Sequence, residues 1–281
     1  EVPENCCGIH VGGPTIASEM PAKGSGEADQ SGAKAVERLV SILTVLAEEG
    51  RPLGIAEVAE AASLPQATVH RLLTAFKASG WVDKDAATAR YRLGHAMLGP
   101  AAVALATAPL IERSQPIITR MAEIAGATVL IGVLVGRNVV FLTLSSPGQE
   151  TATLSPGFSR PAHCSAAGKV LLAALSPDER RRLFRGRAQL RRFTDATITD
   201  IDALEEHLAV VRRQGYAYDM GEFREYQRSV AVPVTDAEGH VVAAMVCSGR
   251  TERMAPEHMT FLHEEMSILA DQLSRQAGLG D

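Results

Sequence analysis

The apolar positions change period along the chain, and each change marks an element. Over 33–49, Val36, Leu39, Val40, Leu43 and Leu46 fall on one helical face and predict a first helix. From Gly54 to Trp81, Ile55, Val58, Ala59 and Ala62 recur at helical spacing, as do Val69, Leu72, Leu73 and Phe76 after a break. The break, Ser63-Leu64-Pro65-Gln66, carries a helix-start signature. Ser63 can cap, Gln66 can reach back to it, and Pro65 is tolerated because first-turn N–H groups have no partner inside the helix. Gly80 stops the second helix, since a residue without Cβ enters the left-handed conformation most cheaply. Trp81-Val82 and Tyr91-Arg92-Leu93 read as short strands around a polar loop, Asp83 to Arg90. Helices and ribbon together predict a winged helix-turn-helix over 33–93.

Gly94 to Ala108 is apolar and Ala-rich, which predicts a linker helix broken or bent at Gly99-Pro100. A helix over about 110–125 ends at Gly126, and the period then shortens. Ala127–Val135 and Asn138–Ser145 are β-branched and apolar around Gly136-Arg137, the pattern of a hairpin. Helices are expected at about 166–175, 177–184 and 200–214, and strands at 216–219, 229–235 and 241–248. The last two strands meet at Asp236-Ala237-Glu238-Gly239, and an amphipathic helix over about 256–276 closes the pattern. This order predicts a second, α+β domain over 109–278 with a central antiparallel sheet. Residues 1–32 are rich in Gly, Pro and Ser without an apolar period and are expected to be a disordered tail.

Charge sharpens the reading of the first domain. With Val69, Leu72, Leu73 and Phe76 turned inward, Gln66, Thr68, His70, Arg71 and Lys77 are left for other faces. Gln and Arg can read adenine and guanine edges bidentately in a major groove. The net charge of −5 argues against a coat of basic residues. Locally, however, 34–65 carries −2, whereas 66–92 carries five basic residues against Asp83 and Asp85, net +3. Lys84 and Arg90 put part of that excess in the wing, as a groove-facing surface requires. A winged helix used only for protein contacts is the competing interpretation.

The four cysteines, Cys6-Cys7 adjacent in the tail, form neither a disulfide framework nor a zinc spacing, so no metal or cofactor is expected. No run approaches the ~18 apolar residues of a membrane span, and the start lacks the regions of a signal peptide, so the expected compartment is the cytoplasm.

Three fragments suggest catalysis and fail on their chemistry. Gly168-Lys169 lacks the earlier Gly of a phosphate loop, and Val170 stands where Ser or Thr must hold magnesium. His263-Glu264 lacks the second zinc ligand, since Ser267 occupies its place. His163-Cys164-Ser165 has no Gly-flanked elbow. A binding site suits that last region better. Ser165-Ala166-Ala167-Gly168 opens a helix with small side chains, where free N–H groups and the positive helix end favour an anion. Close packing of the helix on the sheet would call for the same small residues. Asp219 at a strand end, and Ser229 and Ser248 in apolar strands, are candidates to meet that helix start.

Several separated motifs resemble the IclR family of bacterial transcription regulators. They are Thr68-Val69-His70-Arg71-Leu72-Leu73, Tyr91-Arg92-Leu93-Gly94, the run Arg160 to Lys169, Gly215-Tyr216-Ala217-Tyr218-Asp219 and Ala231-Val232-Pro233-Val234. The resemblance covers about 33 to 276. It implies a DNA-binding winged helix, a linker helix and a GAF-like domain that senses a small carboxylate or aromatic acid. It also implies homodimers, often dimers of dimers, on pseudo-palindromic double-stranded operators. The pocket positions it carries over are Ala166, Ala167, Asp219, Ser229 and Ser248. Gly221, Tyr226, Ser229 and Val246 depart from the family's common residues, which leaves the identity of the effector open. Two functions from different classes follow: a metabolite-responsive transcription factor, or an enzyme using the C-terminal pocket with the winged helix as an interaction module.

Overall fold

The computed structural model describes residues 25–147, 157–185 and 189–276. Cys6, Cys7 and the rest of the expected tail up to residue 24 lie outside the described residues. Helix α1, Ser25–Glu49, starts earlier than 33 and takes in residues 25–32, which were expected to be tail. Glu27, Ala28 and Gln30, all good helix formers, favour that extension. In its C-terminal half Ile42, Val45 and Leu46 are buried, while Val36 and Val40 are 58% and 55% exposed. With α2 (Ile55–Ala61), α3 (Gln66–Ala78), β1 (Val82–Lys84) and β2 (Tyr91–Leu93), it forms the winged helix-turn-helix. Leu53, Val58, Val69, Leu73, Val82 and Tyr91 fill the space between them.

Two local features differ from the pattern in the sequence, the start of α3 and the length of the wing loop. Ser63 does not cap α3. It takes a left-handed conformation (φ 54°) that closes α2, and its N–H donates to the Glu60 carbonyl. Pro65 stands at the N-cap instead, without a side-chain bond. The wing loop is also shorter than Asp83 to Arg90, because Asp83 and Lys84 pair with Arg92 and Tyr91 in the ribbon. At its tip Asp85 Oδ1 accepts the N–H groups of Ala87 and Thr88.

The linker is a 3-10 turn, His95–Met97, running into α4 (Leu98–Ala106). Gly99 and Pro100 sit in the first turn of α4, where a missing N–H costs nothing, and do not break it. The bend comes at Thr107-Ala108, where the path turns by 64° into α5 (Pro109–Ala125). Among the described residues, no single helix is long and apolar enough to cross a membrane.

The second domain is built on six antiparallel strands in the order β5-β4-β3-β8-β7-β6. They are β3 (Thr128–Val135), β4 (Asn138–Ser145), β5 (Ser159–Pro161), β6 (Ala217–Asp219), β7 (Gln227–Thr235) and β8 (Val241–Arg250). Helices α6 (Ala166–Ala174), α7 (Pro177–Leu183), α8 (Ile201–Gln214) and α9 (Pro256–Gln276) complete it. Strand β5 escaped the sequence reading because three residues ending in Pro show no period.

Period-two alternation divides the core. Val129, Ile131, Val230, Val232, Met245 and Cys247 face α5 and α9, whereas Leu130, Ala231, Ala244 and Val246 face α6 and α8. The two domains touch where Glu48 of α1 accepts the Arg137 N–H (2.7 Å) and pairs with its guanidinium. The Arg137 carbonyl in turn accepts the N–H of Ala162 (2.8 Å), in the 3-10 turn Ala162–Cys164 that precedes α6.

That turn and α6 pack backbone to backbone at Gly168. A Cβ there would stand 2.1 Å from the Ala162 carbonyl oxygen and 2.2 Å from its Cα. Gly168→Ala is therefore expected to cost about 3 kcal/mol of stability by overpacking. A urea midpoint unchanged from the parent would show that the turn and helix are not so tightly joined.

Candidate functional site

Two surfaces carry chemistry. On the first, α3 buries Val69 and Leu73 and leaves Gln66, His70, Arg71, Thr74 and Lys77 exposed, with Thr68 half-buried. Arg71 and Thr74 stand on the side of α3 away from Val69 and Leu73. Thr74 was not singled out from the sequence; its hydroxyl donates back to the His70 carbonyl (2.8 Å). Lys84 is exposed on the ribbon, its ammonium 5.2 Å from the Tyr91 ring centre. Arg90 sits otherwise than a free wing residue would. Its Nη1 donates to Glu57 Oε2 (2.9 Å) and to the Pro52 carbonyl (3.1 Å), tying the base of the wing to α2.

The second surface is a cavity of about 40 Å³ in the C-terminal domain. Ala166, Ala167, Asp219, Ser229 and Ser248 all line it, brought together from α6, β6, β7 and β8. The sequence reading missed Arg160, Phe158, Phe141, Phe223 and Gln227, which line it too. Arg160 opens the run that ends in Lys169, so only its place in a motif could have marked it.

Ser165 caps α6 by accepting the Gly168 N–H (3.2 Å), and its carbonyl takes the Lys169 N–H. The N–H groups of Ala166 and Ala167 are left without a partner inside the helix, at its positive end. The Arg160 guanidinium lies 4.2 Å from the Phe223 ring centre and 5.6 Å from that of Phe158. Among the described residues it has no carboxylate partner, so an anion in the cavity would find an unpaired guanidinium. Gln227 Nε2 donates to Ser248 Oγ (2.7 Å), fixing both side chains at the cavity wall.

Asp219 is 5% exposed, and burial pushes its carboxyl up to about 6. The N–H groups of Glu222 (2.7 Å) and Gly221 (3.0 Å) donate to Oδ1 and hold that rise in check. The turn they form needs a left-handed residue, and Gly221 has φ 93°. Thr194 and Thr197 hydroxyls donate to the carbonyls of Gly221 and Glu222, and Glu222 pairs with the fully buried Lys169.

The catalytic fragments do not assemble. His163 Nε2 bonds the Arg191 carbonyl (2.9 Å), and burial lowers that imidazole's pKa. Burial raises the Cys164 thiol, the opposite of an activated nucleophile.

A winged helix with an open polar helix face, joined to a domain with a largely apolar cavity into which a few polar side chains are set, defines a ligand-responsive DNA-binding protein. The description of the bacterial transcriptional regulator IclR C-terminal domain matches residues 102–275, and that of the IclR helix-turn-helix domain matches 35–86. The HTH-type transcriptional regulator BhcR of Paracoccus denitrificans is 32% identical over 254 residues, 90% of each chain. The HTH-type transcriptional regulator XynR of Escherichia coli is 31% identical, covering 87% of this chain and 97% of its own. The crystal structure of an IclR family transcriptional regulator from Brucella abortus shares the fold, with a TM-score of 0.72 at 23% identity over 91% of this chain and 96% of that one. The chain belongs to the IclR family. It is a DNA-binding transcriptional regulator whose operator binding responds to a small metabolite, and not an enzyme.

The carboxyl of Asp219 has a consequence for stability. Between about pH 4 and pH 6 the folded state holds a proton that the unfolded chain has released, so stability falls as pH rises through that window. Above it the full penalty stands, up to about 3 kcal/mol for a shift of roughly two units. Asp219→Asn keeps an oxygen for the two N–H donors and cannot ionise. It is expected to be more stable than the parent at pH 7.5 by up to about 3 kcal/mol, with the gain gone near pH 4. Denaturant titrations at both pH values check this, and equal stability at pH 7.5 would refute it.

Proposed function

We propose that α3 reads operator bases through Gln66, Thr68, His70, Arg71 and Lys77, that Lys84 steadies the wing on phosphate, and that the inner cavity takes a small hydroxylated carboxylate. The observation that carries the second half is the meeting of Ala166, Ala167, Asp219, Ser229 and Ser248 on one cavity with the Arg160 guanidinium. The ligand carboxylate would accept from the N–H groups of Ala166 and Ala167 and from Arg160. Asp219, with Oδ1 committed to its own turn, offers Oδ2 to a ligand hydroxyl, and Ser229 and Ser248 serve whichever end remains. At about 10–15 Å³ per water-sized group, a cavity of about 40 Å³ favours a two- or three-carbon acid over an aromatic one.

Arg90 enters this reading as the residue that sets the wing's angle, because Glu57 already holds its guanidinium. The regulator acts as a homodimer in the cytoplasm. Nothing in α4 is buried, and Leu98 and Val103 are 68% and 63% exposed, which supports a partner helix covering them. With Arg90 held by Glu57, the basic residues left on 66–92 are Arg71, Lys77, Lys84 and Arg92, few for one copy at cellular salt, whereas two copies on a pseudo-palindrome could neutralise about 6–8 phosphates. Movement at the start of α6 has a short path to α1, through Ala162, Arg137 and Glu48.

For DNA, Arg71→Ala is expected to lose about 1–3 kcal/mol per half-site on the specific sequence and to relax preference at one base pair. Lys84→Ala should weaken all sequences alike. Competition titrations against scrambled DNA decide; an equal loss on both DNAs for Arg71→Ala would make it a phosphate contact. For the cavity, calorimetry with lactate and glycolate against propionate and acetate is the direct measurement. Ala166→Leu should abolish binding of the hydroxy acids. Asp219→Ala should erase their advantage over the deoxy acids; if it binds them as tightly as the parent does, the site lies elsewhere.

A further inference from the structure

Beside the inner cavity lies an open cleft of about 270 Å³, reached over a shared wall. Arg160, Gln227 and Ser248 line both spaces. Beyond that wall the cleft is lined by Arg224, Arg250, Arg253 and Tyr226 together with small residues of 126–128 and Gly249. Its lining thus holds four arginines and no carboxylate, in a chain whose net charge is −5.

Like charges gathered this way repel, and the fold spends specific contacts to hold them. The Phe223 ring carries two guanidiniums, Arg160 at 4.2 Å and Arg224 at 5.6 Å from its centre. Tyr226 receives Arg224 twice over, through the ring at 5.8 Å and through a hydrogen bond from Nη1 to the phenol oxygen (2.9 Å). Arg250 stands opposite Gln227 in the β7–β8 register, at the rim of the shared wall. Among the described residues, neither Arg224 nor Arg250 has a carboxylate partner. A carboxylate or phosphate in the cleft would receive forked, charge-assisted hydrogen bonds.

We infer that this cleft is a second anion subsite continuous with the inner cavity, and that the effector carries two separate anionic groups. One carboxylate and a hydroxyl occupy the inner cavity, and a second carboxylate or a phosphate reaches past Arg160 to Arg224 and Arg250. This rests on the reading of the inner cavity as a hydroxy-acid site. A three-carbon acid fills the inner space, so a charged group on its third carbon emerges at the shared wall.

The test uses the full chain and three probes that share one core. Malate is lactate with a carboxylate on its methyl carbon, and 3-phosphoglycerate is lactate with a phosphate there. Inorganic phosphate is the fourth probe. Calorimetry on the parent should find malate or 3-phosphoglycerate at least tenfold tighter than lactate, with the advantage shrinking as salt rises. Which of the two gains more tells a carboxylate from a phosphate subsite. The Arg224→Gln, Arg250→Gln double variant should bind malate and 3-phosphoglycerate within about twofold of lactate, with lactate unchanged, which also reports that the variant is folded. Malate and 3-phosphoglycerate no tighter than lactate overturn the second subsite and leave the inner site standing. Inorganic phosphate binding in an Arg224- and Arg250-dependent way, with no probe acid binding, overturns the linked pair of anionic groups and the inner site together. Binding by none of the probes overturns both readings as well.

Discussion

The C-terminal domain depends on one buried ion pair. Lys169 lies on the first turn of α6 with no solvent exposure, and its ammonium pairs with Glu222, itself buried. Taking both charges out of water costs several kcal/mol per ion, so the pair adds little net stability. Removing either partner would leave a buried charge and cost roughly 3–5 kcal/mol. What the pair specifies is position. It pins the turn after β6 to the helix whose first residues line the cavity. Asp219 on one side of Glu222 and Phe223 on the other are thereby held against the same helix end. The hydroxyls of Thr194 and Thr197 close that turn from behind.

The same economy governs the link between domains. A sheet whose two faces are both covered by helices has few places left to report on its contents. The hairpin turn at Gly136-Arg137 is one, because it projects beyond the sheet and meets Glu48 of α1. Its other side is bonded to the turn that launches α6. A ligand that settles the start of α6 therefore acts on a backbone two hydrogen bonds from the DNA-binding domain. Coupling of this kind needs a difference in contact between two states, not a long wire of residues.

Charge is spent locally throughout. A net negative chain places its positive excess on 66–92 and again around the mouth of the cavity. In our proposals the anion addressed is DNA in the first place and a small molecule in the second. Glu57 shows the discipline this requires: it holds both Arg51 and Arg90, so those cations organise the domain instead of widening its basic surface.

What the sequence determined by itself was everything written in short-range pattern. Helix α3 and its outward residues, the helical character of the linker, the main strands and the small-residue opening of α6 follow from period and turn residues within a few positions of one another, although the cap of α3 and the bend of the linker did not. The pocket residues Ala166, Ala167, Asp219, Ser229 and Ser248 were named partly on resemblance, and the fold sets all five on one cavity. Only the tertiary structure decided the rest. Arg160 became a cavity wall because β5 pairs with β4, and β5 is too short to show a period. Arg90 became a strut because Glu57, 33 positions away, lies within hydrogen-bond reach. Ser63 closes one helix rather than opening the next because the two helices must turn tightly to share a core. Lys169 looked like the end of a phosphate loop and is instead a core cation, because a carboxylate 53 positions later comes to meet it. Local pattern encodes backbone preference over a turn or two, whereas partners and cavities depend on which distant segments the sheet register brings together.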